Sequence, residues 1–138
     1  MSFLKHNSWG RTRCPKNVAG PPGTAVTLES APTDSATAGY ATENQRYLHL
    51  HVDSDGATDS LVVYAYNHAS AQWGKLMVPV GIKNGADTTF DLAYVSVEIE
   101  GNTTAQYLVV DIAGADRVAF VRDGTTDTIT VYAACSSF

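Results

Sequence analysis

Tyr47-Leu-His-Leu-His-Val52 decides the fold class, because apolar and polar residues alternate along it with a period of two. Successive side chains of a β-strand point to opposite faces, so the three aliphatic residues share one face and Tyr47, His49 and His51 share the other. Similar alternating runs follow, separated by turn-rich segments, and no stretch has the periodicity of an amphipathic helix. The sequence therefore predicts an all-β protein, an antiparallel β-sandwich of the jelly-roll type.

The other strands are predicted from the same alternation and from the turns between them. Asp55-Gly56, Asn84-Gly85 and Asp123-Gly124 are tight-turn dipeptides. Pro79 has no N–H group to donate, so its strand ends there or lies at a sheet edge. No internal repeat is predicted beyond the general similarity of strands. The predicted strands cover residues 47–52, 61–67, 72–80, 88–100, 106–113, 117–122 and 128–135.

Residues 1–45 differ from the rest of the chain in both charge and composition. They are rich in Gly, Pro, Ala, Ser and Thr, and only Thr24-Ala-Val-Thr-Leu28 alternates well enough for a short strand. Residues 1–16 carry a charge of +4, whereas the remainder carries −9, which gives the net charge of −5. We therefore expect an extended N-terminal arm over 1–45 and a sandwich domain over 46–138.

Composition excludes several classes of protein. A 138-residue chain that is 44% hydrophobic can form one core without metal or disulfide. A sequence pI of about 5.1 argues against nucleic-acid binding by the body. No apolar run approaches a membrane span, and no signal peptide is recognisable, so we expect the protein to stay in the cytoplasm or in a particle assembled there. Cys14 and Cys135 are expected to be free thiols, with Cys135 facing the core.

His49-Leu-His51 is the clearest candidate for chemistry. Two imidazoles at positions i and i+2 of a strand share a face and are spaced to bind one metal ion, and Asp53 extends the row. This spacing occurs in the cupin enzymes, but their preceding glycine, following glutamate and later histidine have no counterparts here. An outward polar row is the favoured interpretation, and a small cupin-like metal enzyme is kept as the second alternative.

The segment after these histidines has the ingredients of a calcium loop. Asp53, Asp55 and Asp59 surround Gly56, but the ligand order and bidentate glutamate of an EF-hand are missing. Asp-Gly is by itself a good hairpin turn, and Asp123-Gly124 shows the same dipeptide without other ligands. A structural turn is therefore favoured, and no metal is predicted.

The rest of the sequence contains no strong catalytic signature. No nucleophile elbow and no phosphate-binding glycine loop is present, so the sequence predicts neither an enzyme nor a bound cofactor. Aromatic residues on the predicted strands are more typical of a core or a subunit interface, but they are also the residue types of a sugar-stacking platform. A carbohydrate- or receptor-binding module is therefore the first alternative. The aromatic residues concerned are Tyr40, Tyr47, Tyr64, Tyr66 and Trp73.

The chain combines an extended arm, a compact all-β body and the stretch Tyr107-Leu-Val-Val-Asp-Ile-Ala-Gly-Ala-Asp-Arg-Val-Ala-Phe-Val-Arg122. In this combination it resembles the small β-sandwich decoration (cement) proteins of tailed-bacteriophage heads. That resemblance implies a non-catalytic virion protein, assembled in the host cytoplasm and placed on the outer capsid surface. It also implies a homo-oligomer, with a trimer favoured, and a role in bridging neighbouring major capsid proteins. No nucleic acid and no membrane would be involved.

In such a role the arm and one face of the sandwich would supply the contacts to the capsid. Large apolar side chains are typical of interface hot spots, and basic side chains would complement an acidic shell. The residues expected to bind the partner are Phe3, Leu4, Lys5, Trp9, Arg11, Arg13 and Lys16.

Overall fold

The computed structural model describes residues 24–29, 39–83, 90–112 and 115–137. Within these ranges the protein is all-β, every pairing between strands is antiparallel, and no helix occurs. The strands are β1 (Tyr40–Ala41), β2 (Tyr47–Ser54), β3 (Ser60–Asn67), β4 (Gln72–Lys75), β5 (Met77–Lys83), β6 (Phe90–Ser96), β7 (Glu98–Glu100), β8 (Gln106–Asp111), β9 (Arg117–Asp123) and β10 (Ile129–Ser136). The predicted all-β class is thus confirmed.

The strands form two larger sheets and one two-stranded ribbon. The first sheet has the order β1-β9-β3-β4, with β7 also paired to β3, and the second has the order β10-β2-β8. Strands β5 and β6 pair with each other along their whole length. The stretch 72–80, predicted as one strand, is therefore divided between a sheet and the ribbon, and Pro79 lies at an edge because both ribbon strands are edges.

One hydrophobic core draws on both larger sheets. Leu48 and Leu50 of β2 and Val131 of β10 come from the second sheet, while Val63 of β3 and Phe120 of β9 come from the first. All five are at most 1% exposed. The inward positions of β2 are those that the sequence predicted, because the period of two places every second residue on the buried face.

The ribbon of β5 and β6 leaves the first sheet at a closed ring of backbone hydrogen bonds. The N–H of Leu76 donates to the carbonyl of Val63 at 2.9 Å, and the N–H of Val97 donates to Leu76 at 2.8 Å. The N–H of Val63 completes the ring by donating to Val97 at 3.1 Å. Before and after this junction, β4 and β7 pair with successive parts of β3, which fixes the base of the ribbon.

The structure reveals an internal repeat that the sequence analysis did not predict. Residues 55–65 (DGATDSLVVYA) and 123–133 (DGTTDTITVYA) share seven of eleven residues, with a constant offset of 68 positions. Strand β2 pairs with β10, and β3 pairs with β9. Ser54 lies opposite Ile129 in the first pair of strands, and the residues that correspond to them in the repeat, Arg122 and Leu61, lie opposite each other in the second. The β2–β3 and β9–β10 segments are therefore related by an approximate two-fold pattern of contacts.

Two buried carboxylates join the turns of this repeat, and we call this arrangement the aspartate clasp. Oδ2 of Asp127 accepts the N–H groups of Thr58 at 2.6 Å and Asp59 at 2.9 Å. Oδ2 of Asp59 accepts those of Thr126 at 2.9 Å and Asp127 at 3.0 Å. Both carboxylates lie below 10% exposure, so these charge-assisted bonds satisfy carboxylate oxygens that are largely shielded from water.

Two described pieces of the predicted arm contact the body. Val26 is 8% exposed and belongs to the core, and its N–H donates to the carbonyl of Val131 at 2.8 Å. The stretch 24–28 does not form the predicted strand, although Glu29 makes an isolated parallel bridge to Val121. Thr42 is fully buried, and its hydroxyl donates to the carbonyl of Ala115.

Candidate binding face

The surface of the second sheet that points away from the core carries the predicted histidine row, and we call it the outer sheet face. It follows from the alternation of β2, β8 and β10, since their inward residues fill the core and the residues between them point out. The main side chains of this face are Tyr47, His49, His51 and Asp53 of β2, Tyr107 and Val109 of β8, and Thr130 and Tyr132 of β10.

His49 and His51 share this face, as their spacing predicts, but His49 is engaged by its neighbours. Its Nδ1 lies 2.9 Å from the Tyr107 hydroxyl, and its Nε2 lies 2.7 Å from the Ser136 hydroxyl. Both nitrogens are thus hydrogen-bonded to hydroxyl groups. In the part of the chain that the structure describes, no group of three His, Cys, Asp or Glu side chains could hold a metal ion.

His51 lies in a row of three rings across the sheet. The register places Tyr132 of β10 on one side of it and Tyr107 of β8 on the other. The rings of His51 and Tyr132 are 5.7 Å apart and tilted by 42°. Tyr107, which leans on His49, is 68% exposed. The centre of the outer sheet face therefore presents aromatic surface to solvent.

Next to this row is an open, polar depression of about 370 Å³, lined by Asp53, Ser54, Asp55, Thr128 and Thr130. Asp53 lies opposite Thr130, two residues along each strand from the pair of His51 and Tyr132. Oδ1 of Asp55 accepts the N–H of Thr128 at 2.7 Å. That hydrogen bond holds the pKa of the Asp55 carboxyl below its ordinary value.

The structure separates the three carboxylates of the candidate calcium loop. Asp53 and Asp55 are exposed at the depression, whereas Asp59 is 3% exposed and belongs to the aspartate clasp. Its Oδ2 lies 3.9 Å from Nε of Arg122. The spacing of these residues along the chain did not indicate this separation, because the partner of Asp59 comes from the second copy of the repeat.

A second exposed apolar surface lies on the ribbon of β5 and β6, and we call it the ribbon surface. Met77 and Tyr94 point to one side of the ribbon and Val95 to the other, and they are 45%, 58% and 45% exposed. Among the described strands, β5 and β6 are paired only with each other. The sequence predicted strands over 72–80 and 88–100, but it did not indicate that parts of them leave the main sheets.

The aromatic residues considered as a sugar platform do not form one surface. Tyr66 is buried, and its ring packs 5.3 Å from that of Trp73 on the first sheet. Burial raises the pKa of the Tyr40 hydroxyl above its ordinary value. Tyr64 also belongs to the first sheet, in β3, whereas Tyr47 lies on the outer sheet face. Tyr107 and Tyr132 lie on the outer sheet face, on opposite sides of His51, and the alternation of β8 and β10 could have indicated their side of the sheet.

Several predicted residues lie outside the described ranges. These are Cys14 and the arm residues Phe3, Leu4, Lys5, Trp9, Arg11, Arg13 and Lys16. Cys135 is described, and it is a fully buried free thiol. No helix in the described ranges is long and apolar enough to cross a membrane.

The chain was compared with known proteins at three levels. Comparisons with protein-family models, with curated protein sequences and with solved structures each found no match.

Proposed function

We propose that the protein is a structural virion protein, without enzymatic activity, that decorates and stabilises a bacteriophage capsid. Its partner is the major capsid protein, which it contacts through the N-terminal arm and through one face of the sandwich, together with the ribbon surface. It acts on the outer capsid surface after assembly in the host cytoplasm. Binding only to the assembled lattice stabilises that lattice by linkage.

The observation that carries this proposal is the exposed ribbon surface. Met77, Tyr94 and Val95 are large apolar side chains, and Met and Tyr are enriched at protein interfaces. A two-stranded ribbon has little stability of its own in water, so a surface that packs against it contributes to its order. An exposed apolar ribbon fixed at its base to a well-packed body is therefore suited to a protein contact.

The proposal includes a finer description of the fold and assembly. The two larger sheets share one core, and the chain alternates between them from β2 to β3 and again through β8, β9 and β10. This supports a jelly-roll-like sandwich. A homo-oligomer, with a trimer favoured, would present several arms to one capsid region and gain holding strength from multivalency.

Sedimentation of the material from the native source tests the proposal. We expect the chain to travel with a particle of several megadaltons at high copy number. If the chain instead runs as a free monomer or small oligomer while intact particles sediment without it, the capsid role is excluded.

The contact surface is tested by rebinding the purified chain to particles that lack it. We expect the double variant Tyr94→Ser, Val95→Ser to bind at least about tenfold more weakly, because it removes apolar side chains from both sides of the ribbon. Thr103→Ala is a matched control, since Thr103 is exposed in the turn before β8. Equal binding by both variants would remove the ribbon from the interface.

A further inference from the structure

We infer that the depression on the outer sheet face, together with the ring pair of His51 and Tyr132, binds a neutral sugar. Asp53 and Ser54 lie at the end of β2 and Thr130 lies in β10, and these two strands are paired over eight residues and anchored in the core. Asp55 and Thr128 lie one residue beyond the strand ends, where Oδ1 of Asp55 accepts the N–H of Thr128. The inference concerns a different surface from the ribbon and does not rest on the capsid role.

The polar lining of the depression supplies hydrogen-bond acceptors and donors for the hydroxyl groups of a sugar. Asp53 and Asp55 are carboxylates that accept hydrogen bonds, and the Thr130 hydroxyl can both donate and accept, whereas the Thr128 hydroxyl is bonded to Asp55 and keeps an acceptor lone pair. A ring with adjacent hydroxyls can donate to a carboxylate while accepting from a threonine. The depression is open to solvent, and its volume of about 370 Å³ lies at the lower end of the range of small-molecule sites.

The rings supply the apolar part of the site. Thr130 and Tyr132 point to the same side of β10, and Asp53 and His51 point to the same side of β2. The rings of His51 and Tyr132 lie beside the lining of the depression, on the same face of the sheet, and are tilted by 42° to each other. A sugar held by the polar groups would thus lie next to an aromatic surface, which distinguishes the depression from a simple acidic turn.

Charge narrows the class of ligand. Asp53 and Asp55 are both exposed carboxylates, and an aspartate side chain carries a negative charge at neutral pH. The lining contains no Lys or Arg, so phosphate, sulfate and acidic sugars are repelled. Among sugars, the depression therefore favours uncharged rings over their carboxylated counterparts.

The test is a titration of the isotope-labelled full-length chain, followed by NMR in the presence of EDTA. The probes are the methyl glycosides of glucose, galactose and mannose, with free N-acetylglucosamine and with glucuronate as the anionic counterpart of glucose. We expect at least one neutral sugar to shift the amides of residues 51–55 and 128–132, with a dissociation constant on the order of 1 mM. Glucuronate is expected to produce no such shifts.

Variants provide the matched controls. Asp53→Asn and Tyr132→Leu are each expected to weaken sugar binding at least tenfold. Asp123→Asn lies at the equivalent Asp-Gly turn of the repeat, away from the depression, and is expected to leave the affinity unchanged. The inference is overturned if no neutral sugar shifts these amides, if glucuronate binds as well as the glucoside, or if Asp123→Asn weakens binding equally. Shifts produced by calcium without EDTA, and by no sugar, would also overturn it and would identify a cation site.

Discussion

Asp59 and Asp127 hold each other's turns: each carboxylate accepts two backbone N–H groups from the loop that carries the other. The two residues are 68 positions apart and occupy equivalent places in the internal repeat. Their contacts join the β2–β3 connection to the β9–β10 connection, and both connections pass between the two larger sheets. The clasp therefore fixes one end of the core.

Replacing one member of the clasp is expected to destabilise the fold. Asp59→Ala leaves the N–H groups of Thr126 and Asp127 without their acceptor in a buried place, so we expect a loss of about 2–4 kcal/mol in the free energy of unfolding. Asp59→Asn keeps an acceptor oxygen and is expected to lose less. Urea unfolding measures both, and Asp123→Ala, at an exposed turn position, is the control. A loss for Asp59→Ala no larger than the control's would show that the clasp contributes little to stability.

The clasp also explains why a glycine precedes each aspartate by three positions. A Cβ atom at Gly124 would lie 2.2 Å from Oδ1 of Asp59, and one at Gly56 would lie 2.1 Å from Oδ1 of Asp127. Gly124 also has a φ of +118°, which L-residues rarely adopt. We expect Gly124→Ala to destabilise more than Gly56→Ala, and both to lower the melting temperature clearly.

Gly74 is the control for these two substitutions, because no atom lies within 4 Å of a Cβ placed there. We expect Gly74→Ala to be within about 0.5 kcal/mol of the parent chain. The melting temperatures of the three variants, measured side by side by thermal unfolding, test this difference. Equal effects at all three positions would contradict the proposed packing of glycine against carboxylate.

The buried thiol of Cys135 is expected to make the protein sensitive to alkaline pH. Burial raises the pKa of this thiol from 9.0 to about 11. Below pH 9 the thiol stays protonated in both states, whereas between pH 9 and 11 the unfolded state loses its proton first. Stability therefore falls as the pH rises through this window, by up to about 2–3 kcal/mol.

Urea unfolding between pH 8 and 10.5 measures this effect. Cys135→Ala is expected to be less stable at pH 8, because it loses buried contacts, but to lose less further stability as the pH rises. Cys14→Ala is the control for a general effect of removing a thiol. A pH dependence unchanged by Cys135→Ala would assign the alkaline loss to other groups, among which Tyr40 also has a raised pKa.

Removing residues 1–16 tests the role assigned to the arm. The segment carries +4 and no acidic residue, while the described core is formed by residues from Val26 onward. We expect the shortened chain to keep its melting temperature within a few degrees and to lose attachment to the capsid. Raising the salt concentration is expected to weaken attachment of the full chain by screening the same charges.

Two outcomes would contradict this expectation. Loss of folding on deletion would make residues 1–16 part of the body. Attachment that is insensitive to both deletion and salt would assign the contact to the ribbon surface alone.

The sequence by itself determined the class of fold and the sides of its best strands. The alternation in residues 47–52 places Leu48, Leu50 and Val52 in the core and both histidines outside, as the structure shows. This succeeds because side-chain direction in a strand depends only on position along the chain. The tight hairpin turns predicted at Asp55-Gly56 and Asp123-Gly124 are not formed, because each segment crosses from one sheet to the other and its two flanking strands do not pair with each other.

Only the tertiary structure decided which of these segments meet. In the sequence the carboxylates at positions 53, 55 and 59 are close enough to suggest one cluster. In the structure Asp59 points inward to the loop of Asp127, whereas Asp53 and Asp55 face solvent. Strand β5 separates from β4 because Leu76 bonds to Val63 and then to Val97, and nothing local to residues 72–80 specifies those partners. Strand pairing and the burial of charged groups depend on partners that are distant in sequence. They are therefore determined by the free energy of the whole packed chain and not by local sequence.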